Sequence, residues 1–171
     1  PEDAFFNRFA QMARRSPILP VVGPKTRFQP VFVDDVAHAV EVAADGRAAP
    51  GIYELGGPDT DTFRELMQTM LHVIRRRALI VGVPFFVARI MGGTLDFVQR
   101  ASAGLLHNGV LTRDQVRNLA HDNVAGGNLP GFAELGIEPT AMEAILPTYL
   151  WRFRPAGQYS EIKESARNLR T

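Results

Sequence analysis

The spacing of apolar residues predicts two amphipathic helices in the first half of the chain. The first ends at Arg14-Arg15, where positive charge suits the negative end of a helix dipole, and its apolar side chains recur at helical intervals: Phe5, Phe6, Phe9, Met12 and Ala13. The second opens with the capping box Thr62-Phe63-Arg64-Glu65 and carries one apolar face: Phe63, Leu66, Met67, Met70, Leu71 and Ile74. Each helix therefore has one side to bury.

Short apolar runs bounded by proline and glycine predict four strands. They cover residues 18–22 and 28–33, separated by a Gly23-Pro24 turn, and then 52–55 and 79–83. Pro30 lacks an N–H donor, so the second run is expected to be an edge or interrupted strand. Asp34 or Asp35 is expected to cap a further helix, with this buried face: Val36, Ala37, Val40 and Ala44. Strands alternating with helices indicate an α/β fold.

After Pro84 the pattern changes to a mostly apolar stretch, residues 85–98, which begins with Phe85-Phe86 and is interrupted by Arg89 and Asp96. Two interpretations fit it: a core helix of a smaller subdomain, or an amphipathic surface that lies on a membrane or a partner. Two more capping boxes predict short helices, and they start at Thr112 and Thr140. Beyond residue 152 the chain is polar, which predicts a tail or a frayed helix.

The length and composition indicate one domain and give no sign of nucleic-acid binding or thiol chemistry. A chain of 171 residues is long enough for one domain with a core. The formal net charge of +1 gives no reason to expect nucleic acid as a partner. The absence of cysteine excludes disulfides and thiolate chemistry. Because the chain starts at Pro1 with no leader pattern, we expect it to continue a longer polypeptide.

The sequence lacks the glycine-rich fingerprint that brings backbone N–H groups to a pyrophosphate. Gly56-Gly57-Pro58 follows a predicted strand, but proline removes a donor there, so a turn is the better interpretation. Tyr159 and Lys163 have the spacing of a dehydrogenase pair, yet they lie in the polar tail. No metal site is predicted, because no second ligand stands at a suitable spacing from any histidine: His38, His72, His107 or His121.

Several segments resemble known proteins. The segment 27–37 resembles the strand-to-helix segment of extended and atypical short-chain dehydrogenase/reductase proteins, and 51–58 with 62–66 resembles their next strand and helix. More diagnostic stretches are similar to the NAD(P)-binding accessory subunit of respiratory complex I and its bacterial relatives: residues 111–116, 122–123, 135–137 and 149–155. The resemblance runs from residue 1 to about residue 158.

The resemblance implies the C-terminal portion of a Rossmann-like fold, in which the last strands of the sheet are joined to a small, mostly helical subdomain. It divides the chain into trailing β/α elements at 1–83, a helical substrate or docking subdomain at 84–155, and a polar tail at 156–171. A nucleotide-binding half that holds the glycine-rich loop, and most contacts to NADPH or NAD, is then expected before Pro1.

The function implied is that of an NAD(P)-binding, non-catalytic accessory or assembly protein of complex I, or of a quinone-linked relative. The alternative is the substrate-binding part of an NAD-dependent epimerase, dehydratase or reductase. The expected partners are complex I subunits, together with a membrane surface contacted through the stretch from Phe85 to Val98. The expected location is the cytoplasm or the inner face of an energy-transducing membrane.

Four residues match positions that wall the substrate side of the cleft in extended family members: Phe6, Arg27, Phe28 and Gln29. Arg27 and Gln29 alternate with Phe28, so one face of a strand presents both polar groups to a ligand. Pairing of Arg27 with a surface carboxylate fits the sequence equally well. Asp34 and Asp35 also admit a catalytic pair, but helix capping explains them without further assumptions. No catalytic residue is predicted.

Overall fold

The computed structural model describes residues 3–90, 113–155 and 157. Its α-helices are α1 (Ala4–Arg15), α2 (Val33–Ala44), α3 (Phe63–Val73), α4 (Arg113–Asn118) and α5 (Met142–Leu150). Its strands are β1 (Ile18–Val22), β2 (Arg27–Phe28), β3 (Asp61–Thr62) and β4 (Leu79–Val83). Residues 85–90 are also helical, and short 3-10 turns cover Ala133–Leu135 and Trp151–Phe153.

The strands form two small sheets. β1 and β4 pair in parallel, in a register from Ile18 opposite Leu79 to Val22 opposite Val83. β2 and β3 form a short antiparallel pair, with Arg27 opposite Thr62. A parallel pair requires a long crossover, and here α2 and α3 lie in that connection. The prediction of a mixed α/β fold is therefore confirmed, with one small parallel sheet among the described residues.

The main core forms where α3 packs against α1 and α5. Phe63, Met67 and Met70 are at most 2% exposed, and the predicted apolar face of α3 is buried along its whole length. The Phe9 ring of α1 packs edge-on against Phe63 at 5.4 Å between ring centroids, and Phe28 completes the aromatic cluster at 5.6 Å from Phe63. Each fully buried large side chain contributes about 1.5–3 kcal/mol to folding.

The capping box predicted at Thr62 is confirmed. The Thr62 hydroxyl accepts a hydrogen bond from the Glu65 N–H, and the Glu65 carboxylate accepts one from the Thr62 N–H. The box predicted at Thr140 is wrong, because α5 has Ala141 as its N-cap residue and no side chain caps it. The box predicted at Thr112 lies outside the residues that the structure describes.

The strand predicted at 28–33 ends at Phe28, and the helix after it starts at Val33. Pro30 cannot donate a ladder hydrogen bond, which accounts for the early end of the strand. The N-cap position of α2 is occupied by Phe32, so the prediction that Asp34 or Asp35 caps this helix is wrong. Asp35 instead accepts hydrogen bonds from the Thr140 N–H at 2.7 Å and the Thr140 hydroxyl at 3.0 Å.

The buried face of α2 also differs from the prediction. Ala39 and Val42 are buried against Phe132 and Ile137, whereas Val40 is 63% exposed. The helix therefore turns a different apolar side towards its neighbours, because the loop segment around Phe132 supplies the contact. The strand predicted at 52–55 does not form, and these residues have no regular secondary structure.

Three polar contacts tie the last described turns to the main core. Asp3 caps α1 by accepting hydrogen bonds from the N–H groups of Phe5 and Phe6, and it also accepts one from the Tyr149 hydroxyl at 2.8 Å. Burial and the bond to Asp3 raise the pKa of Tyr149. The Arg76 side chain donates to the carbonyl of Phe153 at 2.8 Å, and the Arg154 side chain donates to that of Val73 at 2.9 Å.

Besides the capping box at Thr112, three sequence-based predictions lie outside the described residues: the Tyr159–Lys163 spacing, the second half of the apolar stretch from residue 91 onward, and the polar tail at 156–171 except residue 157. Among the helices that the structure describes, none is long and apolar enough to cross a bilayer.

We expect Tyr149→Phe to lower the free energy of unfolding by about 1.5–3 kcal/mol, the usual contribution of a hydrogen bond to a charged group. Urea unfolding followed by circular dichroism measures the change. The matched control is Tyr53→Phe, which removes an exposed hydroxyl that donates to Ala49. Equal stability of the two variants would show that the bond to Asp3 contributes little.

Candidate functional site

The side chain of Gln29 joins three segments of the chain. Its Nε2 donates to the carbonyl of Gly57 at 2.7 Å, and its Oε1 accepts from the N–H of Ala125 at 2.9 Å. The bond to Ala125 spans 96 positions of the sequence, from Gln29 to Ala125. Because both ends of the amide are engaged, Gln29 is held in one orientation.

The segment after α4 runs beside β2. Asn123 donates its N–H to the Arg27 carbonyl at 2.8 Å and accepts from the Gln29 N–H at 3.1 Å. The Arg27 N–H donates to the Asp122 carboxylate at 2.8 Å, and Phe28 forms a parallel bridge with Asn123. These bonds satisfy the backbone of β2 on the side away from β3.

A cavity of about 480 Å³ opens next to Gln29. Glu54, Glu134 and Glu138 bring three carboxylates to its lining. Glu54 accepts a hydrogen bond from the Gly126 N–H at 2.8 Å, and Glu134 accepts one from Gly131 at 2.6 Å, which lowers the pKa of Glu134. Apart from Gln29, the remaining described lining residues are glycine or apolar: Gly56, Ala125, Gly127, Leu129, Gly131, Phe132, Ala133, Ile137 and Pro139.

These carboxylates determine what the cavity accepts. Among the described residues that line the cavity, three are glutamates and none is an arginine or a lysine, so the lining disfavours a dinucleotide's phosphates. None of these described lining residues is a histidine, serine, threonine or tyrosine. The carboxylates can accept hydrogen bonds from ligand hydroxyl groups. Within the described residues, no three histidine or acidic side chains come together as a metal site.

A second set of acidic residues, Asp61 and Glu65, lies at β3 and the start of α3. The pKa of Asp61 is raised, first by burial and then by the charges of Glu65, Glu143 and Asp59. The pKa of Glu65 is lowered, mainly by its hydrogen bonds with Thr62 and to a smaller extent by the charge of Arg27.

The structure places the four predicted cleft residues in three environments. Phe6 is buried at 7% exposure in the main core, and Phe28 packs against the ring of Phe63. Arg27 is exposed, and its charge acts on Glu65. Gln29 lines the cavity. Phe28 therefore points into the core. Arg27 and Gln29, on either side of it, have different neighbours: Glu65 acts on Arg27, and the cavity lies beside Gln29.

No sequence pattern predicted the three glutamates that line the cavity. Glu54 lies in a predicted strand, and Glu134 and Glu138 lie 80 or more positions further on. The glycine-containing stretch 126–131 was the available signal, since loops with closely spaced glycines often bring backbone N–H groups to side-chain acceptors. Nothing in the pattern indicated that Glu54 would be the acceptor.

Gly56 and Gly57 are required by close packing against the segment that holds Gln29. A Cβ atom on Gly57 would collide with the backbone carbonyl of Pro30, and one on Gly56 would lie 2.5–2.7 Å from the Gln29 side-chain amide. The turn predicted at Gly56-Gly57-Pro58 is not assigned: Gly56 and Gly57 have no regular secondary structure, and Pro58 lies in a bend. The two glycines let the chain approach close enough for the Gln29–Gly57 hydrogen bond.

Comparison with known proteins identifies relatives across most of the chain. The NADH dehydrogenase (ubiquinone) 1 alpha subcomplex subunit 9 of Arabidopsis thaliana mitochondria is 32% identical over 160 residues, which cover 91% of this chain and 40% of that protein. An identity of this size over this length shows that the chain and the Arabidopsis thaliana subunit are homologous. The mitochondrial NADH-ubiquinone oxidoreductase 40 kDa subunit of Neurospora crassa is 28% identical, over 92% of this chain and 40% of that protein.

The resemblance to a complex I subunit found in the sequence is therefore confirmed, and the chain spans about two fifths of the length of the curated relatives it matches. Among solved structures, the crystal structure of gox2253 superposes with a TM-score of 0.56, over 91% of this chain and 45% of that one. At 17% identity this similarity concerns the fold alone. No family model matches the chain.

We expect Gly57→Ala to lower the free energy of unfolding by about 1–3 kcal/mol, since an added methyl group meets rigid backbone at Pro30. Gly51→Ala is the matched control, because a Cβ at Gly51 has no neighbour within 4 Å. Chemical unfolding of both variants tests this. Equal stability of Gly57→Ala and Gly51→Ala would show that the backbone at Gly57 does not lie against the Pro30 carbonyl.

Proposed function

We propose that this chain is part of an accessory, non-catalytic subunit of respiratory complex I. The observation that carries the proposal is the 32% identity with the Arabidopsis thaliana subunit over nine tenths of the chain. The polar groups beside the cavity support a structural role. Gln29, Glu54 and Glu134 are each engaged with backbone groups of neighbouring loops.

The relatives' own names favour this role over the alternative of an epimerase, dehydratase or reductase part. Both curated relatives are named as subunits of NADH dehydrogenase or NADH-ubiquinone oxidoreductase. We further propose the C-terminal portion of a Rossmann-like fold, divided at residue 84 into trailing β/α elements and a smaller helical subdomain, with a polar tail from residue 156. The small parallel sheet and the helices around it support that placement.

In the proposed subunit, NADPH or NAD is bound mainly by residues outside this chain. The acidic cavity supports this division, because its carboxylates disfavour phosphate groups. The contribution of this chain is then one wall of the cleft. Gln29 and Arg27 are the polar members of that wall, and Phe6 and Phe28 stabilise it through the aromatic cluster around Phe63.

We also propose that the helical segment at 85–90 contacts the surface of an energy-transducing membrane. Ala88 is fully buried against Val22 and Val116, whereas Phe86 and Ile90 are 67% and 64% exposed. Arg89 is exposed between them. Large apolar side chains that flank a cation are the pattern of a helix lying at a lipid headgroup region.

If the proposed role is correct, the protein tagged at its own gene will co-purify with complex I subunits and with NADH:ubiquinone oxidoreductase activity. Blue native electrophoresis followed by mass spectrometry measures this association. A tagged protein of similar size from the same compartment is the control. Absence of the tagged protein from every complex I fraction would contradict the proposal.

Ile90→Asp is expected to reduce sedimentation of the protein with vesicles of phosphatidylcholine and an anionic phospholipid by about fivefold or more, because an aspartate at the headgroup boundary loses apolar burial and is repelled by anionic lipid. Ile52→Asp is the matched control, since Ile52 is an isoleucine of similar exposure, 74%, on a different element. Equal sedimentation of both variants with the unchanged protein would exclude the segment 85–90 as the contact.

A further inference from the structure

The outer face of the β1–β4 sheet is apolar and exposed. Leu19 and Val21 point into the main core and are at most 1% exposed, whereas the alternate residues of the strand point the other way. Ile18 and Leu79, which lie opposite each other in the register, are 51% and 66% exposed, and Val81 is 41% exposed. Parallel strands are normally covered on both faces. Within the described part of the chain, the outer face of this pair has no cover.

Arginines surround the amino end of this sheet, where three connections meet: the residues after α1, the residues after α3 and the turn after α5. The Leu79 N–H donates to the Pro17 carbonyl at 2.8 Å and joins the first two connections. The Arg76 and Arg154 side chains, which each donate to a carbonyl on the neighbouring segment, join the second to the third. These bonds bring the following arginines to one end of the sheet: Arg14, Arg15, Arg75, Arg76, Arg77, Arg152 and Arg154.

The sequence stretches that build this end contain no acidic residue. Neither aspartate nor glutamate occurs in residues 4–33, 66–95 or 144–160, although the chain has 18 acidic residues and a formal net charge of +1. Acidic side chains gather instead at the opposite end of α3, where Glu65 and Glu143 act on Asp61. Positive charge is therefore concentrated on one side of a nearly neutral chain.

Stabilisation of the helix ends accounts for only part of this charge. Arg14 and Arg15 occupy the last turn of α1, where a cation is favourable. The last carbonyls of α3 and of the turn after α5 accept from Arg154 and Arg76, so these ends already have side-chain donors. Arg77 lies beyond α3 and is exposed. In the part of the chain that the structure describes, no carboxylate pairs with Arg14, Arg15 or Arg77.

We propose that the apolar outer face of the β1–β4 sheet and the exposed arginines at its amino end, Arg14, Arg15 and Arg77, form one docking surface for a carboxylate-rich segment of another protein. This inference rests on the proposed role as a subunit of a larger complex, and it assigns a contact surface to that role. Guanidinium groups bind carboxylates through paired hydrogen bonds. The apolar side chains beside them supply the centre of the contact from which water is excluded.

The composition of this surface favours a protein over a lipid bilayer. Arginine and aromatic side chains are enriched at protein interfaces, and lysine, aspartate and glutamate are depleted there. Trp151, next to Arg152, is 39% exposed at the same end of the sheet. The proposed membrane contact at 85–90 follows the other end of β4, since the strand rises about 13 Å from Leu79 to Val83 at about 3.3 Å per residue.

The test uses the full-length protein, tagged at its own gene. Leu79 is replaced by the photo-reactive residue p-benzoylphenylalanine, and mass spectrometry identifies what is cross-linked to it on irradiation. The cross-linking yield is then measured with Arg15→Glu and Arg77→Glu together. The control pair, Lys25→Glu with Arg117→Glu, changes the net charge equally at two exposed cations near the carboxyl end of the sheet, where α4 packs on β1.

We expect the cross-linked peptide to belong to another protein and to carry several aspartate or glutamate residues beside the cross-linked position. Arg15→Glu with Arg77→Glu should lower the yield by about fivefold or more, because like charges then face each other. The control pair should change it by less than about twofold, because salt screens charges at that distance. If thermal denaturation shows that the glutamate pair unfolds, Arg15→Gln with Arg77→Gln takes its place, with an expected loss of about twofold or more.

Cross-links to phospholipid, to a second copy of the protein or to another part of the same polypeptide would each overturn the proposal. The same holds for a partner peptide without acidic residues, for a yield that the arginine substitutions leave unchanged, and for the absence of any cross-link. An acidic partner outside complex I would support the surface and contradict the proposed role. Co-purification with complex I without the expected cross-link would contradict the surface alone.

Discussion

The burial of the apolar face of α3 along its whole length is the constraint on which the arrangement of the other elements depends. Phe63, Met67 and Met70 face α1, α5 and the aromatic cluster, so these elements can pack only where α3 leaves apolar surface for them. The capping box at Thr62 sets where the helix begins, and β3 immediately precedes it. Because β3 pairs with β2, the start of α3 also fixes the position of Phe28 and Gln29.

The hydrogen bonds of Gln29 link this part of the fold to the loops beside a second, smaller apolar cluster. Its amide connects Gly57 and Ala125, and the cluster around Phe132 and Ile137 lies beyond them. The cavity opens between these loops, and the hydrogen bonds of Gln29 hold two of them in place. A polar connection of this kind specifies one geometry, since an unpaired amide would cost about 1–3 kcal/mol.

The sequence predicted most accurately those elements whose determinants are local. The capping box at Thr62 and the apolar positions of α3 lie within one short window, and they were predicted in full. The face of α2 could not be predicted, because two apolar sides are available and the choice depends on Phe132 and Ile137. Asp35 was misassigned for the same reason, since its partner Thr140 lies 105 residues away. The cavity likewise combines Glu54 with residues 125–139, and no local pattern connects them.

Two exposed apolar surfaces of the described residues differ in the size of their side chains. Along α2 the exposed apolar side chains are small, Val33, Ala37, Val40 and Ala44. Phe86 and Ile90 are large, and Arg89 stands between them. A lipid surface accepts such side chains without matching their shape, and it offers anionic groups to the arginine. The size of these side chains and the neighbouring cation are therefore what support the proposed membrane contact at 85–90, and the small exposed side chains of α2 offer no comparable pattern.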